Sequence, residues 1–238
     1  RKGYSVVHYT LELNEAYVGL RYDSIFSGIA NQNLKYHKDD IEKKIEKLKG
    51  NLTIKYFPTK TASVHTIQAH LQKMKTLGHD VDLVIMDYAD IMKDTSNARE
   101  VRHALGNIYE DLRGTAGEIE VPIWTASQAN RSALDEDVIE ATKVSESYQK
   151  IMTADFVMSL SRKVEDKIGN TGRFHVMKNR FGPDGITYPA MVNTNNGKID
   201  IYETNTVDGQ QQQKKIDNRD NIAKKMLSTK FKDLMGED

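Results

Sequence analysis

Apolar and polar positions alternate along the chain in two different periods. Ser5–Leu11 is rich in β-branched and aromatic residues and follows Gly3, a pattern that predicts a strand. Asn14 is a suitable N-cap for a helix running toward Ile29. Residues 38–49 are charged, with Ile41, Ile45 and Leu48 on one side, and read as an amphipathic helix. Asn51–Phe57 is a second strand, closed by Pro58. Ser63 then caps a helix to about Leu77, where Gly78 stops it. Val81–Asp87 is apolar almost throughout and ends in a carboxylate, as expected of a strand buried on both faces of a parallel sheet. Val101, Ala104, Leu105, Ile108 and Leu112 mark a long helix from about Asn97 to Gly117, and Pro122–Gln128 is the next strand. After a polar stretch and a short helix come strands near Asp155–Leu160, Arg173–Lys178, Ile186–Val192 and Lys198–Tyr202.

Strands alternating with helices predict an α/β fold with a mostly parallel central sheet flanked by helices. The later strands follow one another without intervening long helices and predict an antiparallel edge. Residues 1–203 are expected to form one domain. From Thr204 the composition turns polar, with four glutamines at 210–213, and 204–219 reads as a flexible linker. Ile222, Met226, Leu227, Phe231, Leu234 and Met235 then predict an amphipathic C-terminal helix over 220–238.

Composition narrows the class. At 238 residues, 38% hydrophobic and 29% charged, the chain suits one sizeable α/β domain with a tail. No apolar run approaches the roughly 20 residues of a membrane-spanning helix. Cysteine is absent, which excludes disulfides and cysteine-based zinc sites and suits a cytoplasmic setting. Lys plus Arg equals Asp plus Glu at 34 each, so no bulk basic field collects nucleic acid. Any DNA-binding surface must be local, or built by several subunits around one channel.

In open α/β sheets ligands bind at the carboxyl ends of the strands. Glu12, Asp87 and Gln128 stand at three such predicted ends. Together they have the chemistry of nucleotide hydrolysis: a carboxylate that holds Mg²⁺, a second that activates water, and an amide that orients the γ-phosphate.

These segments resemble the DnaB-like family of ring-forming replicative helicases, of a phage type. Thr10–Asn14, with Arg21 nine residues after Glu12, resembles the family's Ser-Leu-Glu-Met-Ser. Leu83–Tyr88 resembles its Walker B strand, and Ser127–Arg131 its Ser-Gln-Leu-Asn-Arg. Lys178–Gly185 is close to Lys-Asn-Arg-x-Gly-Pro-x-Gly, the most specific of the four. The resemblance implies a RecA-like P-loop NTPase core acting on ATP and Mg²⁺. Glu12 would be the general base and Asp87 the Mg²⁺ carboxylate. Gln128 would be the sensor, and Lys178 and Arg180 would reach a neighbouring subunit's γ-phosphate. It also implies a homohexameric ring, 5′→3′ travel on single-stranded DNA, and primase and loader partners.

Val144–Asp155 resembles the family's DNA-contacting loop and the segment after it, and with Arg131 it gives Lys143, Ser145, Glu146 and Tyr148 as DNA-binding candidates. Ser145 stands where the family has arginine and Tyr148 where it has glycine. Lys143 or Lys150 would replace the lost charge, and Tyr148 would stack on a base. Ala89 and Asp90 replace the family's Leu-Gln.

No Gly-x-x-x-x-Gly-Lys-Ser/Thr occurs in the chain, although that loop cradles phosphates and supplies a Mg²⁺ ligand. The expectation is a fragment cut just after the phosphate-loop helix, weak in ATP binding alone. Two rival readings remain: a recombinase filament subunit of the RecA or Rad51 type, and a non-hydrolysing scaffold or DNA-binding fragment.

Overall fold

A computed structural model of the chain describes residues 2–96, 98–133, 136–144, 148–218 and 221. It divides into two compact units, 1–128 with 144–154, and 129–143 with 155–238.

The first unit is built on a parallel sheet of order β2-β1-β3-β4: β1 (Ser5–Thr10), β2 (Asn51–Tyr56), β3 (Leu83–Asp87) and β4 (Ile123–Thr125). The chain starts at an inner strand, steps out to β2 and returns to β3 on the other side. β1 and β3 therefore meet at the switch point where open α/β sheets bind ligands. The pleat sorts side chains to two faces. Val7, Tyr9, Leu11, Val84 and Met86 share one core cluster with Ile67 and Leu71 of α3 (Val64–Thr76) and Ile108 and Leu112 of α4 (Val101–Ile119). On the opposite face of β1, His8 meets Tyr22 of α1 (Glu15–Ser27). α2 (Lys38–Ile45) packs on α1.

Helix ends follow local chemistry. The Asn14 side chain accepts from the Tyr17 N–H, and Ser63 and Thr66 form a reciprocal capping box at the start of α3. α1 ends at Gly28, whose φ of 77° is the left-handed conformation glycine adopts without penalty. The short α5 (Gln149–Thr153) lies against α4, where Gly106 leaves the room that Gln149 occupies.

The second unit is an antiparallel sheet of order β5-β6-β7-β8: β5 (Phe156–Ser161), β6 (Thr171–Asn179), β7 (Thr187–Asn193) and β8 (Lys198–Ile201). The antiparallel strands expected as an edge thus hydrogen-bond among themselves as a four-stranded sheet. A short helix, α6 (Val164–Gly169), interrupts the run of strands, and its buried Asp166 takes Arg173 at 3.2 Å and the Thr171 hydroxyl at 2.7 Å.

The flexible linker expected over 204–219 is corrected in its main part. Val207–Asp217 is a helix, α7, capped by the Thr206 side chain, which accepts from the Gly209 N–H. Ile216 is buried, and the buried Gln212 amide donates to the Ala190 carbonyl of β7 at 2.8 Å. The glutamine run misled because one amide, satisfied inside the unit, anchors an otherwise polar helix. The predicted start of the long helix at Asn97 and the C-terminal helix from Ile222 lie outside the described residues.

Candidate active site

Thr10 stands opposite Asp87 in the β1–β3 register, and the Leu11 N–H donates to the Asp87 carbonyl at 2.8 Å. Beyond this point the chain is tied down by side chains. Thr10 Oγ1 donates to the Leu13 carbonyl at 2.7 Å, and Thr59 Oγ1 donates to the Leu11 carbonyl at 2.8 Å. Glu12 emerges from this braced exit with its side chain exposed, available to a water molecule.

Asp87 ends β3 half-buried. His8 Nε2 lies 3.9 Å from its Oδ2, an electrostatic contact beyond hydrogen-bond reach. The imidazole holds the Asp87 carboxyl below the usual carboxylate range, burial opposes this, and the charge of Arg21 on α1 adds to the lowering. The next peptide, Asp87–Tyr88, is cis. The Tyr88 hydroxyl is raised by burial and then by the negative charges of Glu12, Asp90 and Asp87. Gln128 Nε2 donates to that hydroxyl at 3.2 Å. The three sequence-predicted residues are therefore gathered at one end of the sheet, although β4 stops at Thr125 and Gln128 sits in the loop beyond it.

Among the described residues no group of three or more His, Asp or Glu side chains could hold a metal by itself. One ionised carboxylate suits a Mg²⁺ that arrives with nucleotide phosphates and keeps most of its waters. Asp87 would hold it, and it would neutralise phosphate charge.

Beside this site lies a buried network that the chain pattern did not reveal. Lys150 Nζ is 2.7 Å from Asp90 Oδ2 and donates to Ser127 Oγ at 3.1 Å. Tyr109 donates to Asp90 Oδ1 at 2.7 Å. The Lys150 side chain is 2% exposed, so it is corrected as a source of charge for DNA phosphates. Asp90, which departs from the family pattern, is the partner that this lysine requires. The pair is separated by 60 residues, and no local spacing signals it.

In the second unit Lys178 lies on β6 opposite Val157, but the strand ends at Asn179. Arg180 is one residue past it, so strand alternation does not set its direction. Asp155 sets it instead: Arg180 pairs with Asp155 Oδ1 at 2.9 Å, and its N–H donates to the Asp155 carbonyl at 2.9 Å. Asn179 ties the following turn. It accepts from the Phe181 N–H at 3.1 Å and donates to the Pro183 carbonyl at 3.2 Å, and Gly185 closes the turn at φ 73°. Asn179 was legible only as a motif letter, and its work in the turn needed the structure.

The DNA-binding candidates are distributed between the units. Arg131 is exposed in a single helical turn, Arg131–Ala133, and Lys143 pairs with Glu136 at 3.0 Å, both in the second unit. Tyr148 is exposed at the start of α5, in the first. Ser145 and Glu146 lie outside the described residues. Among the described residues no helix is long and apolar enough to cross a membrane.

The family model for the DnaB-like helicase C-terminal domain matches residues 1–195. The chain is 27% identical over 196 residues to a DnaB-like replicative helicase of Enterobacteria phage T4, covering 76% of this chain and 40% of that protein. It is 24% identical over 137 residues to the replicative DNA helicase DnaB of Helicobacter pylori, covering 56% of this chain and 28% of the other. The chain thus spans less than half the length of either relative. Its fold resembles a solved ATPase domain, with a TM-score of 0.69 and 21% identity over 84% of this chain and 75% of the other. It also resembles a DnaB-like replicative helicase solved in a study of its interactions with primase, again with a TM-score of 0.69 and 21% identity, over 84% of this chain and 51% of that one. The RadB recombinase shares the fold at a TM-score of 0.51 and 16% identity, over 84% of this chain and 80% of the other.

Proposed function

The chain belongs to the DnaB-like helicase C-terminal domain family, and on that footing we propose that it is the motor part of a replicative DNA helicase. In this reading ATP hydrolysis drives 5′→3′ movement on single-stranded DNA and unwinding of the duplex ahead. Residues 1–203 act as one functional domain, repeated around a homohexameric ring in the cytoplasm, with primase and a loader as partners. The observation that supports it best is the arrangement of Glu12, Asp87 and Gln128 beyond neighbouring parallel strands.

Each residue has a distinct task. Asp87 takes a Mg²⁺ position, and Glu12 accepts the proton of the attacking water. Gln128, linked to Tyr88 beside Asp87, orients that water or the γ-phosphate. None of the three supplies a cation for the charge that phosphoryl transfer spreads over the γ-phosphate oxygens. Lys178 and Arg180 supply it from the neighbouring subunit. Arg131, Lys143, Ser145, Glu146 and Tyr148 are the candidates for contacting DNA, and around a ring a few residues per subunit suffice for a chain of zero net charge.

The test is ATP hydrolysis by this chain, alone and joined to a phosphate-loop segment, with and without single-stranded DNA. Mg²⁺-dependent, DNA-stimulated hydrolysis in the joined form supports the motor. DNA binding without hydrolysis in either form favours a scaffold.

A further inference from the structure

The inner strand β1 buries a histidine. Its neighbours Val7 and Tyr9 fill the core beneath α3 and α4. His8 points to the other face and is 9% exposed, where an apolar residue would be buried without loss of hydration. One nitrogen is accounted for: Nδ1 is 2.8 Å from the Tyr22 hydroxyl. The two rings meet edge to face at 5.7 Å and 86°, and Tyr22 stacks in turn on Phe26. The other nitrogen, Nε2, is buried with no hydrogen-bond partner among the described residues, and it lies 3.9 Å from Asp87 Oδ2. Buried polar atoms without partners are uncommon and call for a reason.

Hydrogen-bond capacity supplies one. A neutral imidazole has one donor and one acceptor nitrogen, and the bond at one selects the role of the other. The Tyr22 hydroxyl can donate to Nδ1. In that arrangement the proton is on Nε2, 3.9 Å from a carboxylate oxygen that can only accept.

We propose that His8, backed by Tyr22, is a positioning residue for Asp87, holding Oδ2 so that Oδ1 is presented to the hydrated Mg²⁺. The proposal rests on the reading of Asp87 as the metal carboxylate. It adds two residues, on β1 and α1, that the motifs do not contain. The arrangement is the outer-shell support common at metal sites, where loss of the supporting group costs about 10–100-fold in metal affinity or activity.

The test uses the chain as it is. The ring-nitrogen resonances of ¹⁵N-labelled His8 report the tautomer, and an Nε2–H form is expected. Asp87→Asn should shift the Nε2 signal, and Tyr22→Phe the Nδ1 signal. A dominant Nδ1–H form, or a His8 spectrum indifferent to Asp87→Asn, overturns the proposal. The second arm adds Mn²⁺ together with inorganic triphosphate, which supplies the phosphate oxygens that a single carboxylate needs beside it, and follows broadening of the Met86 and Tyr88 amide signals. His8→Leu should raise the Mn²⁺ required about tenfold. His8→Gln, which keeps an N–H donor at this position, should recover most of the loss. An unchanged Mn²⁺ requirement in a folded His8→Leu chain overturns the positioning role. No broadening near Asp87 in the parent chain counts against Asp87 as the metal carboxylate, while the imidazole spectrum still decides the His8 contact.

Discussion

Lys150 and Asp90 form a buried ion pair, 2.7 Å apart, that joins α5 to the exit of β3. Tyr109 and Ser127 complete the shell around the carboxylate. Removing one member of such a pair strands the other charge in low dielectric. Lys150→Met should therefore destabilise the chain by about 3–5 kcal/mol. The double variant Asp90→Asn with Lys150→Met should be less affected than Lys150→Met alone. Urea unfolding of the three chains measures both, and equal losses in the single and double variants would exclude the stranded charge as the cause.

Glu12 and Asp87 should fail differently in a chain joined to a phosphate-loop segment. Glu12 is exposed, and among the described residues nothing ties its carboxylate. Glu12→Gln should leave ATP binding near the parent value and lower kcat by about 10²–10⁴-fold. Asp87→Asn should weaken Mg²⁺-dependent binding as well as turnover. Nucleotide titrations at varied Mg²⁺, beside steady-state rates, separate the two. A parental rate in Glu12→Gln would remove it from the base role.

Arg180→Ala should keep nucleotide binding and lose DNA-stimulated hydrolysis, by about 10³–10⁵-fold if it acts as an arginine finger. Its pair with Asp155 is partly exposed, so stability should change by no more than about 1 kcal/mol. Mixing Arg180→Ala with Glu12→Gln chains should restore activity, because an intact Glu12 can face an intact Arg180 only in a mixed assembly. No recovery after verified subunit exchange would place Arg180 in service of its own subunit.

The β6–β7 turn offers a separate handle on the same hairpin. Gly185 sits at φ 73°, and Gly185→Ala should cost about 1–2 kcal/mol through the left-handed backbone alone. Asn179→Ala should lose about 1 kcal/mol for each of its two turn hydrogen bonds. If the turn aims Arg180, both variants should lower DNA-stimulated hydrolysis well beyond these stability losses. Thermal unfolding and rates measured on the same samples make the comparison.

Ile216→Ala should destabilise the chain by about 2–5 kcal/mol, since Ile216 is 1% exposed. A deletion of 204–238 should do at least as much harm, because it also removes the Gln212 bond to β7. Stability equal to the parent's after that deletion would contradict the packing of α7.

Much of the fold was legible along the chain. The apolar run Val81–Asp87, the caps at Asn14 and Ser63 and the stop after α3 lie in local periodicity and backbone preference, and these act over a few residues. Glu12, Asp87, Gln128, Lys178 and Arg180 were readable as candidates because strand ends and short motifs are local too. What only the tertiary structure decided concerns partners distant in sequence. Lys150 looked like a solvent-facing charge until β3 brought Asp90 to it, and the Gln210–Gln213 run looked like a linker until Gln212 met Ala190. His8 looked like one polar residue in a strand until α1 set Tyr22 on one ring nitrogen and β3 set Asp87 near the other. A charged or amide side chain has the same composition and local pattern in water as in the core. Its role depends on whether a remote partner replaces the water it gives up, and that is settled only when the chain has folded.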